Sequence, residues 1–539
     1  MPSLIPIDAR SLLPWVLPCL VSAVLVGCRD HVAAGGTTDD GDSSSAGSSV
    51  ETSSTDSEPS SCAIESREPV RRLSAFEYTR ALQDLVGVEI DEALLPASSS
   101  TTVFATDDAA LGSSALLVDG QFDATVIAGQ AVLARMEADG ASFMGCVPSD
   151  PACIDTWLSA FGKRAHRRPL ADDERDRLRA LFDEVTAADG RNVAVAATVQ
   201  ALLLSPRFGF HVEELDEDGR PDDYAIASRL SFLLWSSAPD EALLDAARRG
   251  VLRDRAERTA QAERMLMDPR AAATMVRMVR ELLDLEALAS VDPIDPRWSA
   301  SLRAEMDAEI DRFIETTVFA QDGTLAALLT SRWVDAGPQL AALYGIAAGT
   351  DELPVERAGL VTRAGFLAGM TSGASPSPVR RGLVVLDRLA CTAIAPPPPD
   401  VPEIPAGDAG LTNRDRYEQH TADPSCAGCH LQIDPIGFAL EHFDAIGAYR
   451  SVDNGQPIDA SGAVLGVAID GAFELSTALA DSDVVATCAV TQWLRFGLGH
   501  ALRDGEACAR DELAADFIAA GGDLPTLLVD IAASPLMVE

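Results

Sequence analysis

Apolar residues recur at steps of three and four along most of the chain after residue 70. In the segment 70–88 this spacing is kept by Leu73, Phe76, Tyr78, Leu82, Leu85 and Val86, and Ser74 stands three residues before Glu77. Such spacing places apolar side chains on one helix face, and serine three residues before glutamate is typical of a helix start. The same pattern predicts helices at 155–161, 172–185, 193–204, 222–235, 240–249, 256–267, 271–283, 299–319, 325–329, 412–420, 482–495 and 512–519.

One stretch departs from this helical pattern. Residues 457–473 read PIDASGAVLGVAIDGAF, in which short branched runs are separated by small turn-forming residues. This predicts one small β-hairpin near 457–473. Strands and helices do not alternate elsewhere as they would in a parallel sheet. We therefore expect a mainly α, multidomain helical protein.

The chain carries a large excess of acid. Its 539 residues include 42 Lys+Arg and 83 Asp+Glu, for a formal net charge of −41. A duplex partner requires a dense basic face, so the composition argues against a nucleic-acid-binding protein. Hydrophobic residues make up 47% of the chain, which is enough to build cores in about three to five units of ordinary domain size.

The N-terminus is typical of an export signal. An apolar run from Leu12 to Val26 follows Arg10 and is too short to span a bilayer. It ends in Leu-Val-Gly-Cys at 25–28, which resembles the bacterial lipobox, where the signal is cut before a cysteine that then receives lipid. We expect a lipoprotein signal peptide at 1–27 and lipidation of Cys28, which would anchor the protein to the membrane. The alternative is an ordinary signal with a chance cysteine.

Residues 28–65 contain mostly Ser, Thr, Gly, Asp and Ala. Such a segment buries too little apolar surface to offset the entropy of ordering, so we expect a disordered tether. The mature protein is then predicted to lie in the cell envelope, facing the periplasm or the cell surface. Arg29 after the cysteine favours the outer membrane, by resemblance to sorting rules in other bacteria.

The cysteine count indicates an oxidising compartment. Of the 10 cysteines, six remain after the signal, the lipidation site and the pair at 426 and 429 are set aside, and an even remainder in an exported chain suggests disulfides. Ranked by proximity and then by elimination, the predicted pairs are Cys146 with Cys153, Cys488 with Cys508, and Cys62 with Cys391. Buried unpaired thiols are the alternative.

The motif with the clearest chemistry is Cys426-Ala-Gly-Cys429-His430. Attachment of a c-type haem needs two thiols for the two vinyl groups and an imidazole that reaches the iron from the same side, and this spacing supplies all three. We expect one covalent haem c on Cys426 and Cys429, with His430 as the proximal iron ligand. Two alternatives stay open: a zinc knuckle that adds two of His420, His430 and His442 to the cysteines, and a structural or redox dithiol.

The other axial ligand of the iron is less clear from the sequence. The only methionine after His430 is Met537, two residues from the end. His420, at the end of a predicted helix capped by Thr412, is the first candidate for an axial or pocket ligand, although a histidine there also suits the helix dipole. His442, His500 and Met370 are weaker candidates. If none binds, an open iron position would favour small-molecule or peroxide chemistry.

The segment 420–450, HTADPSCAGCHLQIDPIGFALEHFDAIGAYR, resembles the Planctomycete-cytochrome-type domain of large exported proteins of planctomycetes and myxobacteria. The segments at 71–88, 161–174, 202–208, 222–244, 363–382 and 488–502 resemble its companion domains, which are of unknown function. The resemblance implies a haem c site at Cys426, Cys429 and His430, and no substrate. His442 stands where the family pattern leads us to expect Asn, and His500 where we expect Arg. We further expect Phe438 against the haem ring and Arg450 near a propionate.

Proline- and glycine-rich joints near 145–152, 216–221, 349–356 and 395–410 divide the chain. Beyond the signal and tether, we predict helical domains of unknown function at 66–145, 153–215 and 220–348, a cytochrome c-like domain at 356–452, and a C-terminal domain at 457–539. Four consecutive prolines at 396–399 predict a stiff spacer upstream of the motif.

Two functions follow from these features. The first is a lipid-anchored haem protein in envelope electron transfer, or the redox subunit of an oxidoreductase, with a separate redox partner protein. The alternative is a helical cell-surface scaffold or binding protein whose haem or zinc is structural or sensory. We find no dinucleotide-binding glycine motif, zinc-protease motif or nucleophile elbow, so enzyme activity by this chain is uncertain.

Overall fold

A computed structural model describes residues 70–96, 102–372, 375–395, 410–421 and 424–539. The predicted signal peptide, Cys28, the tether, Cys62 and the four-proline spacer lie outside these residues. The described part is mainly helical with small two-stranded antiparallel sheets, which confirms the predicted fold class. No described helix is both long and apolar enough to cross a membrane.

The first region contains one helical core. Strands β1 (Val70–Arg72) and β2 (Phe210–Val212) pair antiparallel and bring its two ends together. Its helices are α1 Ala75–Val86, α2 Ala115–Met144, α3 Cys153–His166, α4 Asp172–Asp189, α5 Arg191–Leu203 and the short α6 Pro206–Gly209. Their buried side chains form one cluster from Leu73 to Phe208, joined by Phe232.

Helix α1 begins as the sequence predicts. The backbone N–H of Glu77 donates to the Ser74 hydroxyl at 3.2 Å, and the Ser74 N–H donates to the Glu77 carboxylate at 2.8 Å. This reciprocal cap satisfies two backbone donors that the first helical turn leaves without partners. Gly87 ends the helix with a positive φ of 70°.

A second, larger core joins the rest of the chain. Its helices are α7 Asp223–Trp235, α8 Glu241–Arg249, α9 Arg255–Leu266, α10 Pro269–Leu282, α11 Ala300–Phe319, α12 Leu325–Thr330, α13 Pro338–Tyr344, α14 Ala364–Gly369, α15 Pro378–Val384, α16 Asn413–Thr421, α17 Pro424–Phe438, α18 Ala472–Ala480, α19 Asp483–Leu498, α20 Asp504–Ala519 and α21 Leu524–Ala533. One cluster of buried side chains contains Phe104 and residues from Ile226 to Met537, so several predicted domains share a core. The domain boundaries themselves stay a prediction.

The predicted hairpin is present. Strands β7 (Ser461–Val464) and β8 (Val467–Asp470) pair antiparallel around Leu465 and Gly466, both of which have positive φ. Positive φ at both central residues is the geometry of the turn that fits the twist of a two-residue hairpin. Further two-residue strands pair at β3 Thr371–Ser372 with β4 Ser375–Pro376, and at β5 Val452–Asp453 with β6 Gln456–Pro457.

The disulfides agree only in part with the sequence predictions. Cys146 and Cys153 are bonded, with 5.6 Å between their Cα atoms, as predicted. Cys391 is bonded to Cys488, so the predicted pairs Cys488–Cys508 and Cys62–Cys391 are wrong. Cys508 is disulfide-bonded as well. Proximity in sequence misled the prediction, because the fold brings Cys391 against helix α19 although 97 residues separate it from Cys488.

Candidate functional site

The candidate site lies on helix α17, which carries the whole Cys-x-x-Cys-His motif. Residues three and four apart on a helix share a face, so Cys426, Cys429 and His430 are neighbours there. Both cysteines are half-buried, and neither forms a disulfide. Every other cysteine that the structure describes is disulfide-bonded. The two motif thiols therefore differ from the other described cysteines in that they form no disulfide.

A buried carboxylate orients the histidine of the motif. The Nδ1 atom of His430 lies 3.0 and 3.1 Å from the two carboxylate oxygens of Asp434, one helical turn later. The Asp434 side chain is only 7% exposed and that of His430 is 17% exposed. A carboxylate on one ring nitrogen fixes the tautomer and leaves the other nitrogen as the metal-binding atom, an arrangement common among metal-ligating histidines.

This pairing was missed at the sequence level. The sequence analysis assigns no role to Asp434 and predicts no helix at 424–438. The signal that could have revealed the contact is the spacing of four residues between His430 and Asp434, which puts the two side chains on one face once the segment is helical.

Helix α17 is held in place by backbone contacts at glycines. A Cβ atom on Gly437 would lie 2.0 Å from the carbonyl oxygen of Pro378, at the start of α15. A Cβ on Gly382 of α15 would lie 2.1 Å from the Ile433 oxygen, and one on Gly462 of β7 would lie 1.9 Å from the Pro435 oxygen. No side chain fits at such distances, so only glycine allows the three segments to approach this closely.

The segment after α17 is organised by a buried arginine. The guanidinium of Arg381 donates to the carbonyl oxygens of Leu440, Phe443 and Asp444 at 2.9–3.0 Å. Burial lowers its pKa to about 10, which still leaves it charged at neutral pH. The Asp444 carboxylate in turn accepts from the backbone N–H groups of Ile446 and Ala448. This network fixes the turn that follows the motif helix.

The expected roles of Phe438 and Arg450 beside a haem stay predictions, and the structure gives their contacts within the protein. Arg450 donates to the carboxylates of Glu441 at 3.0 Å and Asp453 at 2.6 Å, which compensate its charge. Phe438 is buried, and the guanidinium of Arg414 lies 4.7 Å from its ring centroid.

The remaining candidate ligands lie in different settings. His420 belongs to helix α16, but its side chain is outside the described part, so its proposed ligation stays a prediction. The helix begins at the predicted cap, since Asp415 N–H donates to the Thr412 hydroxyl. His442 Nδ1 donates to the Arg450 carbonyl at 2.9 Å, His500 Nδ1 donates to the Ala501 carbonyl, and Met370 is buried in the larger core.

Haem and zinc need different ligands from the chain, and the side chain of His420, one of the proposed zinc ligands, lies outside the described residues. Within the described residues, no group of three or more His, Cys, Asp or Glu side chains is placed to hold a metal ion. A zinc knuckle needs four such ligands, whereas covalent haem needs only two thiols and one imidazole from the motif. Cys426, Cys429 and an oriented His430 meet the second requirement on one helix.

Five family models match the chain, each described as a protein of unknown function. They are DUF1587 at residues 71–134, DUF1595 at 153–213, DUF1592 at 222–346, DUF1588 at 357–453 and DUF1585 at 465–537. No curated protein and no solved structure matches the chain significantly. The motif lies within the DUF1588 match, whose short name is PSCyt3. The five are planctomycete-type domains, and in its domain content the chain is consistent with the planctomycete-type multidomain family.

Proposed function

We propose that this chain is an exported c-type haem protein that acts in envelope electron transfer, alone or as the redox subunit of an oxidoreductase. Cys426 and Cys429 would hold the haem through thioether bonds, and His430 would ligate its iron. The observation that carries the proposal is the His430–Asp434 pair on the same helix as both thiols. The bound haem would supply a one-electron couple.

The contrast among the cysteines supports this assignment. Cys146 with Cys153 and Cys391 with Cys488 show that the described thiols of this chain form disulfides where the fold brings them together. Cys426 and Cys429 lie one turn apart on α17 and do not. Thiols reserved for vinyl groups would behave in this way. The short name of the matching family model, PSCyt3, also hints at a cytochrome-associated family.

The chain's own residues would then perform three tasks. The sulfurs of Cys426 and Cys429, as thioethers, would hold the haem on α17, and the Asp434 carboxylate holds the His430 imidazole in one orientation. The glycine contacts of α17 with α15 and β7 keep the helix from shifting. These contacts would limit any change in the geometry of the motif between redox states. Such a small change suits electron transfer.

The proposal includes the cellular setting. Cys28 would carry the lipid that tethers the protein to a membrane, with the outer membrane favoured, and a separate redox protein would deliver or accept the electron. Both features rest on the N-terminal sequence and on the single haem motif.

The decisive experiment is expression of the full chain in a host that attaches haem c outside the cytoplasm. We expect a peroxidase-based haem stain on a denaturing gel, a haem-modified motif peptide by mass spectrometry, and a reversible couple in a redox titration. Cys426→Ser combined with Cys429→Ser should abolish the stain, whereas the matched control Cys146→Ser with Cys153→Ser should retain it.

Two results would contradict the proposal. An unmodified motif peptide would eliminate the haem. A covalent haem without a reversible couple would eliminate electron transfer and favour the scaffold with a structural or sensory haem.

A further inference from the structure

The contact between His430 and Asp434 has a specific geometry. Nδ1 is within hydrogen-bonding distance of both carboxylate oxygens, so the contact survives small rotations of the Asp434 side chain. Both residues belong to one helix, and their separation of four residues is fixed by the backbone. The distance between ring and carboxylate therefore does not depend on how separate elements pack.

The surroundings of Asp434 keep this contact in a partly water-excluded place. Asp434 is buried. Both of its chain neighbours pack closely against other segments: the Ile433 carbonyl faces Gly382, and the Pro435 carbonyl faces Gly462. Electrostatic effects are stronger where water is excluded than at an exposed surface. A charge on Asp434 should therefore act strongly on the imidazole beside it.

We propose that Asp434 is a positioning residue that lowers the reduction potential of the haem attached to this motif. This inference rests on the proposed function. The carboxylate accepts the Nδ1–H hydrogen bond, which increases electron donation from His430 toward the iron, and its negative charge stabilises the more positive, oxidised state. A neutral acceptor in the same position would orient the ring but would lack the charge. A lower reduction potential would make the reduced haem a better electron donor to a partner and the oxidised haem a weaker oxidant.

Asp434→Asn tests the charge while keeping an acceptor oxygen. We expect normal haem attachment and a midpoint potential shifted to more positive values by about 59 mV, which corresponds to a tenfold change in the equilibrium of a one-electron couple. The electron paramagnetic resonance spectrum of the oxidised protein should change as well, because the ligand field of His430 changes. Asp434→Glu, which retains the charge, should recover most of the native potential.

The matched control is Glu441→Gln. Glu441 is another buried carboxylate of the same segment, but its contacts are to Arg450 and Asn413. A general field effect of losing one buried negative charge would shift the potential as much as Asp434→Asn does. The inference expects a clearly smaller shift and an unchanged resonance spectrum.

The outcomes separate this inference from the function on which it rests. No covalent haem in the unsubstituted protein overturns the proposed function. A haem-loaded Asp434→Asn variant with the native potential, or with a shift equal to that of Glu441→Gln, overturns the role of Asp434 alone. If Asp434→Asn does not retain haem, Asp434→Glu decides: a native potential supports the role, and a positive shift contradicts it.

Discussion

Two histidine–carboxylate pairs in this molecule use the same chemical groups in different ways. In the first core, His211 lies 3.7 Å from Glu77, which is too long for a hydrogen bond, and Glu77 is instead held by two bonds from Arg71 at 2.8 and 3.1 Å. On α17, both oxygens of Asp434 lie at bonding distance from His430. The Glu77 carboxylate thus binds an arginine and caps a helix, whereas the Asp434 carboxylate binds the imidazole itself.

Burial and the neighbouring arginine set the protonation states of the first pair. Burial lowers the pKa of His211 to about 4, so this imidazole is neutral and structural. Burial alone would raise the pKa of Glu77, but the charge of the adjacent Arg71 guanidinium outweighs it and holds that pKa well below its usual range. A histidine beside a carboxylate therefore suggests a binding function only where other groups that could hold a cofactor lie next to it. On α17 those groups are the two motif thiols.

The largest effect is expected from breaking the buried ion pair. Glu77→Ala leaves Arg71 without its partner and removes one half of the α1 cap, so the free energy of unfolding should fall by about 3–5 kcal/mol. Urea denaturation followed by circular dichroism measures this. Glu241→Ala is the control, because Glu241 pairs with Lys163 at a surface position where its side chain is 59% exposed, and about 1 kcal/mol or less is expected. Equal effects in the two variants would contradict the comparison.

The stability of the motif helix α17 should depend on the close backbone contacts at its glycines. Gly437→Ala forces a methyl group into the Pro378 carbonyl, so we expect a loss of about 1–3 kcal/mol and a lower yield of covalent haem. Gly428→Ala is the matched control on the same helix, since a Cβ there meets nothing within 4 Å. Alanine is the better helix former, so Gly428→Ala should be neutral or slightly stabilising. The prediction is wrong if both variants behave alike.

The smallest effect, counted per pH unit, is the dependence of stability on pH. An unfolded histidine binds a proton near its ordinary pKa of 6.5, but folded His211 does not until about pH 4. Between these values the unfolded state binds more protons, so stability falls as the pH falls, by up to about 1.4 kcal/mol per pH unit. His211→Gln should flatten this slope in denaturation measured at several pH values. Burial also lowers the pKa of His166, so part of the slope should remain; an unchanged slope would exclude His211 as its source.

Local signals in the sequence were sufficient for some elements. Ser74 with Glu77 caps α1 as their spacing predicts, and Thr412 caps α16 as predicted. The hairpin predicted near 457–473 is also present, although its turn lies at Leu465 and Gly466 and not at the small residues 459–462. In each case the interactions that define the element lie within a few residues of one another.

Other features depend on distant segments and were missed. Helix α2 was not predicted, because Gly120, Gly129 and Gly140 lower its helix propensity. The structure uses these glycines for packing: a Cβ on Gly129 would lie 2.1 Å from Gln200 Nε2 of α5. The Cys391–Cys488 bond likewise depends on a tertiary contact that no local pattern encodes.

The bond between Cys391 and Cys488 encloses the motif within a covalent ring, since residues 426–430 fall between the two cysteines. A single protease cut anywhere inside that ring would not release the fragment that bears the motif. The two products would migrate together on a gel until a reductant separates them. After one cut inside this closed loop, the motif stays attached to the rest of the chain until the disulfide is reduced.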